Sequence, residues 1–585
     1  MGGITISSSG IVGVSRKPRE AKVTMRRFTA LVLLLLLGAC RPGPGGRQGA
    51  SPEASTSLPA TPPIPAGPDD LFEDVTAKAG ITFVHQLGSG KLTNIIESTG
   101  AGGTFLDFDG DGKLDVFFVN SGPLAGVSEA PAGTPRLPNR LYRNRGDGTF
   151  EDVTRKAGLA GSGYGIAAAA ADFDNDGHVD LFVANVGRSV LYRNRGDGTF
   201  EDVTEKAGVG GPGTAVGAAW LDYDNDGLLD LFVVRYLTFD PNYKLHYSPD
   251  AYPGPLAYKA EFNALYRNRG DGTFEDVSEK AGVRVPESRG MAAAVLDVNG
   301  DGFPDIYITN DGTPNTLLLN DGKGHFTNVA VEMGVAFSQD GEAAGSMGAA
   351  VADVNGDGYS DILVTSTSFG SLFLGSKEGL FEDKIMSSGI GRMKAQYTSW
   401  GGSFLDFDND GKPDVFIANG DLHYMVGWQS LLLENQGDGT FADAARKGGA
   451  FFATRLRGRG SAVADFDNDG LMDILMTMLA DRPVLLRNRD RSGNGWITLD
   501  LEGTKSNRDG FGAKVTVHAG GKARFAEARC PSGYLFQGDR RLHFGLGKSQ
   551  DVDRIEIRWP SGQVQTLTGV KPNQVLKVRE PGERK

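Results

Sequence analysis

Short, mostly apolar runs recur along the chain, each preceded by a nine-residue acidic stretch. The runs are VFFVN (116–120), LFVAN (181–185), LFVVR (231–235), IYITN (306–310), ILVTS (362–366), VFIAN (415–419) and ILMTM (474–478). Their length and their β-branched and aromatic content are those of buried strands. Small residues lie ahead of the acidic stretches, as in GIAAAAA (165–171), AVGAAWL (215–221) and GRGSAVA (458–464). Gly and Ala within a strand predict crowded backbone, as near a propeller axis. A second pattern interleaves with the first. LYRNRGDGTFEDVT begins at 141 and 191 and, as LYRNRGDGTFEDVS, at 265, with looser copies at 317–334, 372–389 and 431–448. Each reads as strand, Gly-rich turn, strand, the Asp-Gly step being a hairpin signal. Nothing acidic surrounds that step on alternate positions, so it reads as a plain hairpin and not as a metal or phosphate loop.

The repeated unit therefore holds about four strands. From first Asp to first Asp the units measure 65, 50, 75, 56, 53 and 59 residues, a period expected of propeller blades or a solenoid. The two ends of the array separate these. The last unit stops at LLRNR (485–489) and lacks an FEDVT strand, while an orphan LFEDVTAKAGI (71–81) opens the array. A strand missing at one end and spare at the other predicts ring closure, which leaves no open sheet edge. A solenoid would instead need polar caps. The predicted fold is all-β: a seven-bladed β-propeller with calcium-binding loops over residues 69–492.

The chemistry lies in the acidic stretches. Each has Asp at position 1, Asp or Asn at 3, Asp at 5, Gly at 6 and Asp at 9. The candidate ligands are Asp107, Asp109, Asp111 and Asp115 in the first, then Asp172, Asp174, Asp176 and Asp180, then Asp222, Asp224, Asp226 and Asp230. Asp297, Asn299, Asp301 and Asp305 follow, then Asp353, Asn355, Asp357 and Asp361. Asp406, Asp408, Asp410 and Asp414, and Asp465, Asp467, Asp469 and Asp473, complete the set. So many carboxylates in nine residues repel unless something positive lies among them. Oxygen-only ligands on alternate positions suit a hard cation, Ca²⁺ above all. Position 12 is always apolar, from Phe118 to Met476, so the bidentate Glu of an EF-hand is missing. Position 9 is expected to supply the last carboxylate, with the main-chain carbonyl of position 7, and the Gly at 6 to take φ > 0 for the turn.

Charge fits this reading. The net charge is −13, and seven divalent ions would bring it to +1, so the acidity belongs to metal sites. No basic face is visible in the repeats, and nucleic-acid binding finds no support. Arg26 and Arg27 precede an apolar run at 28–37 that ends in Gly38, Ala39 and Cys40. This resembles a bacterial lipoprotein signal (1–40), implying cleavage before Cys40 and its lipidation. The run is too short to span a membrane comfortably. Translation could begin at Met1 or Met25, and the Arg pair also raises twin-arginine export. Residues 41–68, rich in Pro, Gly and Ser, read as a disordered spacer. The expected location is therefore the cell envelope after export, with lipid as the only membrane contact. Cys530, the other of two cysteines, reads as a packed or idle thiol. Residues 493–580 alternate apolar and polar positions between Gly turns and predict a small antiparallel β domain. Residues 581–585 form a tail.

At this point a resemblance is visible. The acidic repeats resemble FG-GAP/VCBS repeats, and GAKVTVHAGG, SGYLFQGDRRLHFGLG and VDRIEIRWPSG resemble an ASPIC/UnbV domain. Together they are similar, over about 69–580, to the cartilage acidic protein family. The resemblance implies a calcium-loaded, extracytoplasmic propeller whose ions sit on the loop positions named above. It departs at YPGP (252–255), where relatives often place Cys-Gly-Pro, and at Cys530, which leaves any family disulfide open. Functionally, a protein- or glycan-binding adhesion module is expected. A propeller enzyme acting on an extracellular polymer or small molecule is the alternative, but none of the seven His forms an HExxH or HxH pair and no catalytic residue emerges. The long aromatic insertion 236–263 is the candidate ligand surface, or else a cap packed on the fold.

Overall fold

The computed structural model describes residues 60–583, apart from 89–90, 124–125, 129, 131–132, 162, 244–251, 395 and 532. The lipoprotein signal with Cys40, the start-site question and most of the spacer lie outside the described residues.

The repeats form antiparallel sheets in the predicted frame. The second sheet orders Tyr164–Ala171, Asp180–Val186, Val190–Asn194 and Phe200–Asp202 side by side, so chain order is spatial order. Among the described residues six sheets hold four strands in this order, and a seventh holds three, completed by a strand from the start of the array. In each, the acidic loop joins the first strand to the second, and in the six sheets with a fourth strand of their own a short Gly-containing turn, GDG in four of them, joins the third to the fourth. First strands of successive sheets pack on one another, which is why they are built of Ala and Gly: sheet on sheet at that end leaves little room for side chains.

The two ends of the array meet. Gly458–Ala464, Asp473–Met478 and Val484–Asn488 lack a fourth strand of their own, and Phe72–Asp74 takes the place, with Phe72 opposite Asn488. Phe72 and Leu71 are buried against Phe416, Phe451 and Phe452. A second core joins Phe105 and Val116 of the first sheet to Ala462 and Leu475 of the last.

Two expectations need correction. The C-terminal region is not purely antiparallel. One of its sheets orders Leu542–Gly547, Gly495–Glu502 and Val575–Arg579, and the last two strands run parallel. Alternation sets which face is buried but not strand direction, so sequence could not distinguish the two. The other sheet, Lys522–Glu527, Lys514–Ala519, Arg554–Arg558 and Val564–Leu567, is antiparallel. One short strand leaves the region altogether: Phe536–Gln537 pairs in parallel with Gly103–Leu106 and packs on Gly458–Ala464. The repeat array and the C-terminal region thus share a sheet. The second correction concerns the spacer, whose described part, 60–68, is held in place. Thr61 donates to Asp481, and Arg482 donates to the carbonyls of Thr61 and Pro62.

Candidate metal centres

The acidic loops share one hydrogen-bond scheme. The position-1 carboxylate accepts the amides of positions 5 and 6, at 3.0 and 2.9 Å for Asp107. The same pair recurs at Asp172, Asp222, Asp297, Asp353, Asp406 and Asp465. Such a tight return of the chain needs positive φ at position 6, where the glycines lie between 80° and 98°. The position-9 carboxylate accepts the position-2 amide with one oxygen and an amide at the end of the third strand with the other, at 3.1 and 2.7 Å for Asp180.

In five loops this geometry gathers three carboxylates. One oxygen each from Asp107, Asp109 and Asp115 lies within 4.8 Å of the others, and the same holds for Asp172/174/180, Asp222/224/230, Asp406/408/414 and Asp465/467/473. In the loops with Asn299 and Asn355 no such group forms: Lys514 pairs with Asp297 at 2.6 Å, and the Asn amides turn to Asp301 and Asp357. Position 5, expected as a ligand, stands apart from the five groups. Its carboxylate accepts the position-7 amide, and in five loops it also meets a basic side chain.

Those basic side chains are what sequence reasoning missed. Arg143, Arg193, Arg267 and Arg487, the Arg of LYRN or LLRN, each bridge positions 3 and 5 of their own sheet's loop. Some of the acid is therefore countered without any ion. The countering is partial. Oδ1 of Asp224 and of Asp467 is buried with no hydrogen-bond partner, on the carboxylate whose other oxygen holds the Arg. A buried anionic oxygen left bare is costly unless a cation meets it. An oxygen-only donor set with bare oxygens fits a hard divalent ion. The ionisation of the loop carboxylates agrees. Burial, then the neighbouring carboxylates, pushes Asp172, Asp222 and Asp465 up to about 7. Burial likewise lifts Asp115, Asp305 and Asp361 to about 8.

The loops are also linked to one another. Asn268, at the end of the LYRN strand, donates to Leu229 O in its own loop and Phe173 O in the preceding one, at 2.9 and 2.8 Å. Asn194, Asn320, Asn435 and Asn488 do the same. Asn144 reaches Phe466 O of the seventh loop at 2.8 Å. Gly375 occupies this place in the fifth sheet. At position 4, Asn175, Asn225, Asn409 and Asn468 adopt φ of 55–60° and donate to the position-6 carbonyl of the next loop.

The C-terminal region rests on these loops. Asp509 accepts the amide of Asp172, Arg508 donates its amide to Asn175, and Arg541 reaches Asn468 and Asp465 O. His543 donates from Nε2 to Asn409 Oδ1 at 2.7 Å and accepts from Thr498 at Nδ1. The donor assignment follows because Asn409 Nδ2 already donates to Gly470 O. Both ring nitrogens of His543 are thus taken up in hydrogen bonds. Cys530 is buried and its thiol is pushed up to about 12, which makes it a packed, unreactive group. The segment beside it fills the space between the first strands. Tyr534 packs on Trp400 and donates to Thr99 O, and a Cβ at Gly102 would meet Leu535 O at 1.9 Å. Arg459 stacks over Trp400 and donates to Ser98 O. The described part of the insertion is largely a cap: Tyr236, Tyr252 and Tyr258 are buried, and Tyr236 donates to Asp311. Leu256 and Phe262 remain exposed.

Comparison with known proteins gives two family matches. The FG-GAP-like repeat matches residues 107–183, 172–233, 256–308, 297–364 and 406–476, and "ASPIC and UnbV" matches 503–585. Cartilage acidic protein 1 of Mus musculus is 25% identical over 499 residues, 82% of this chain and 64% of that protein. The chain thus spans somewhat less than two thirds of that relative's length. Integrin alpha-4 of Xenopus laevis is 34% identical over 184 residues, 28% of this chain and 17% of that protein. Among solved structures, an Agrocybe aegerita lectin described as recognising terminal N-acetylglucosamine aligns with a TM-score of 0.36 at 20% identity, over 60% of this chain and 80% of its own.

Proposed function

The chain belongs to the FG-GAP-like repeat family, and we propose that its sheets close into a seven-bladed propeller stiffened by calcium, acting as a binding module outside the cytoplasm. The observation that carries the metal reading is the bare, buried Oδ1 of Asp224 and Asp467 within three-carboxylate groups. Positions 1, 3 and 9 would hold the ion, which in the four loops with an Arg clamp would supply the positive charge that the clamp leaves unmet. Closure is supported by the shared seventh sheet, by Asn144 reaching Phe466 O and by Asn468 reaching Gly112 O. The loops at positions 297–305 and 353–361 complete the set of seven, with Asn in place of one carboxylate. An anchor through Cys40 would hold the module in the cell envelope.

The ligand class proposed is a protein or a glycan, met on the surfaces that the sheets and loops hold rigid. Integrin alpha-4 is similar to this chain over part of its repeat array, and repeat scaffolds present loops for recognition. Two experiments test the reading. Calorimetric titration of the metal-stripped protein should show Asp224→Asn taking up one calcium ion fewer than the parent; equal uptake would remove the site. Glycan arrays and pull-downs from envelope fractions should retain partners in calcium and lose them in EGTA. Retention that ignores calcium would separate recognition from the ions.

A further inference from the structure

Between the C-terminal region and the fifth, sixth and seventh sheets lies a cleft of about 600 Å³. That volume suits a small organic molecule, within the usual range of about 300–1,000 Å³. One wall is apolar. Val351 and Phe404 from the repeat sheets and Phe525 and Leu542 from the C-terminal region line it, and each is only half-buried. Half-buried apolar groups facing one cleft from two sides are what an apolar ligand covers.

The polar lining is not balanced. The acids are committed within their own elements: Asp539 holds Arg541, Asp406 accepts the amides of Asp410 and Gly411, and Asp353 accepts three loop amides. Glu527 accepts the Asp297 amide at 3.4 Å. Two guanidinium groups are not used up. Arg529 donates from Nε to Glu527 O, and its nearest carboxylate lies 4.0 Å away, while its Nη1 is buried with no partner. Arg524 donates from Nη1 to Ala519 O, and its Nε is likewise buried and bare. A buried N–H of a permanent cation without an acceptor is unfavourable, and a planar guanidinium fits an oxyanion better than any other partner.

We infer that this cleft binds a small amphipathic organic anion, its carboxylate, sulfate or sulfonate head on Arg529 and Arg524 and its apolar body against Phe404 and Phe525. The cleft borders two of the acidic loops, whose Asp353 and Asp406 lie in its lining and whose Gly411 packs under Arg524, and the inference does not depend on the protein or glycan partner. The test uses the full folded protein in calcium buffer. The probe is 8-anilinonaphthalene-1-sulfonate, read against N-phenyl-1-naphthylamine, the same apolar body without the charge. The sulfonate should bind at one site at least tenfold more tightly than the neutral amine. Arg529→Gln should weaken the sulfonate about tenfold and leave the amine unchanged, and Arg529→Lys should recover part of the loss. If Arg529→Gln fails to fold by its melting profile, Arg524→Gln is read in its place. Equal binding of the two dyes, or sulfonate binding indifferent to both substitutions, would overturn the inference.

Discussion

Asn268 makes more of the structure than its place at the end of a strand suggests. Its side-chain amide satisfies two buried carbonyls in two different loops. Removing it leaves both without a donor, at about 1–3 kcal/mol for each unsatisfied group. Asn268→Ala should therefore lower unfolding free energy by roughly 2–6 kcal/mol in urea titration, whereas exposed Glu151→Ala should change it by less than about 0.5 kcal/mol. Equal effects would show that the link between loops is not energetic. Sequence displayed the carboxylate positions plainly, because alternate oxygens within one loop are a local pattern. The clamp by Arg267 and the staple by Asn268 were written as plainly in LYRN, yet their roles depend on which strand lies beside which. Only the pairing of the third strand with the second brings them to the loop. The Arg that meets position 5 in four of the loops was hidden for the same reason: it comes from across the sheet.

Among the elements, Phe72–Asp74 has the largest consequence for its size. Three residues from the start of the array complete a sheet from its end. Phe72 is buried among Phe416, Phe451 and Phe452, and truncating such a side chain costs about 3–5 kcal/mol. Phe72→Ala should lower the urea midpoint accordingly with an unchanged slope, while a near-neutral result would mean the strand is dispensable. This element was legible, because a repeat with a missing member announces the lack. Phe536–Gln537 was not. Two residues carry no period, and nothing local tells a chain segment to leave its own domain. The signal lay elsewhere, in Gly102, where Leu535 O allows no side chain.

For the molecule as a whole, ionisation couples the loops to stability. In the metal-free state Asp115 faces Asp107 and Asp109, and burial holds it up at about 8, as it holds Asp305 and Asp361. Their unfolded value is near 3.9. The folded state therefore keeps protons that the unfolded state gives up, and the stability this brings is present at low pH and lost as pH rises through about 8. His85 and His543, lowered to about 3 by burial, act oppositely, losing stability as pH falls below about 6.5. Between pH 6.5 and 8 the carboxylates are opposed only by Lys394, whose amine burial lowers to about 7 and whose contribution rises with pH above that, and being several against one they set the sign. The melting temperature in EGTA should fall across that window, and in calcium it should not; a rise in EGTA would refute the coupling. The acidic balance of the chain made such loops foreseeable. What no pattern in the sequence disclosed was that the C-terminal region would be seated on them, through Asp509, Arg541 and His543.

The decisive measurement is metal content paired with the melt. The pure protein, loaded with calcium and dialysed into metal-free buffer, should retain about seven calcium ions per chain, one for each loop. EGTA should then lower the melting temperature sharply, since each site at a hundredfold excess over its Kd adds about 2.7 kcal/mol. A chain that holds no alkaline-earth metal and melts identically with and without chelator would contradict the account.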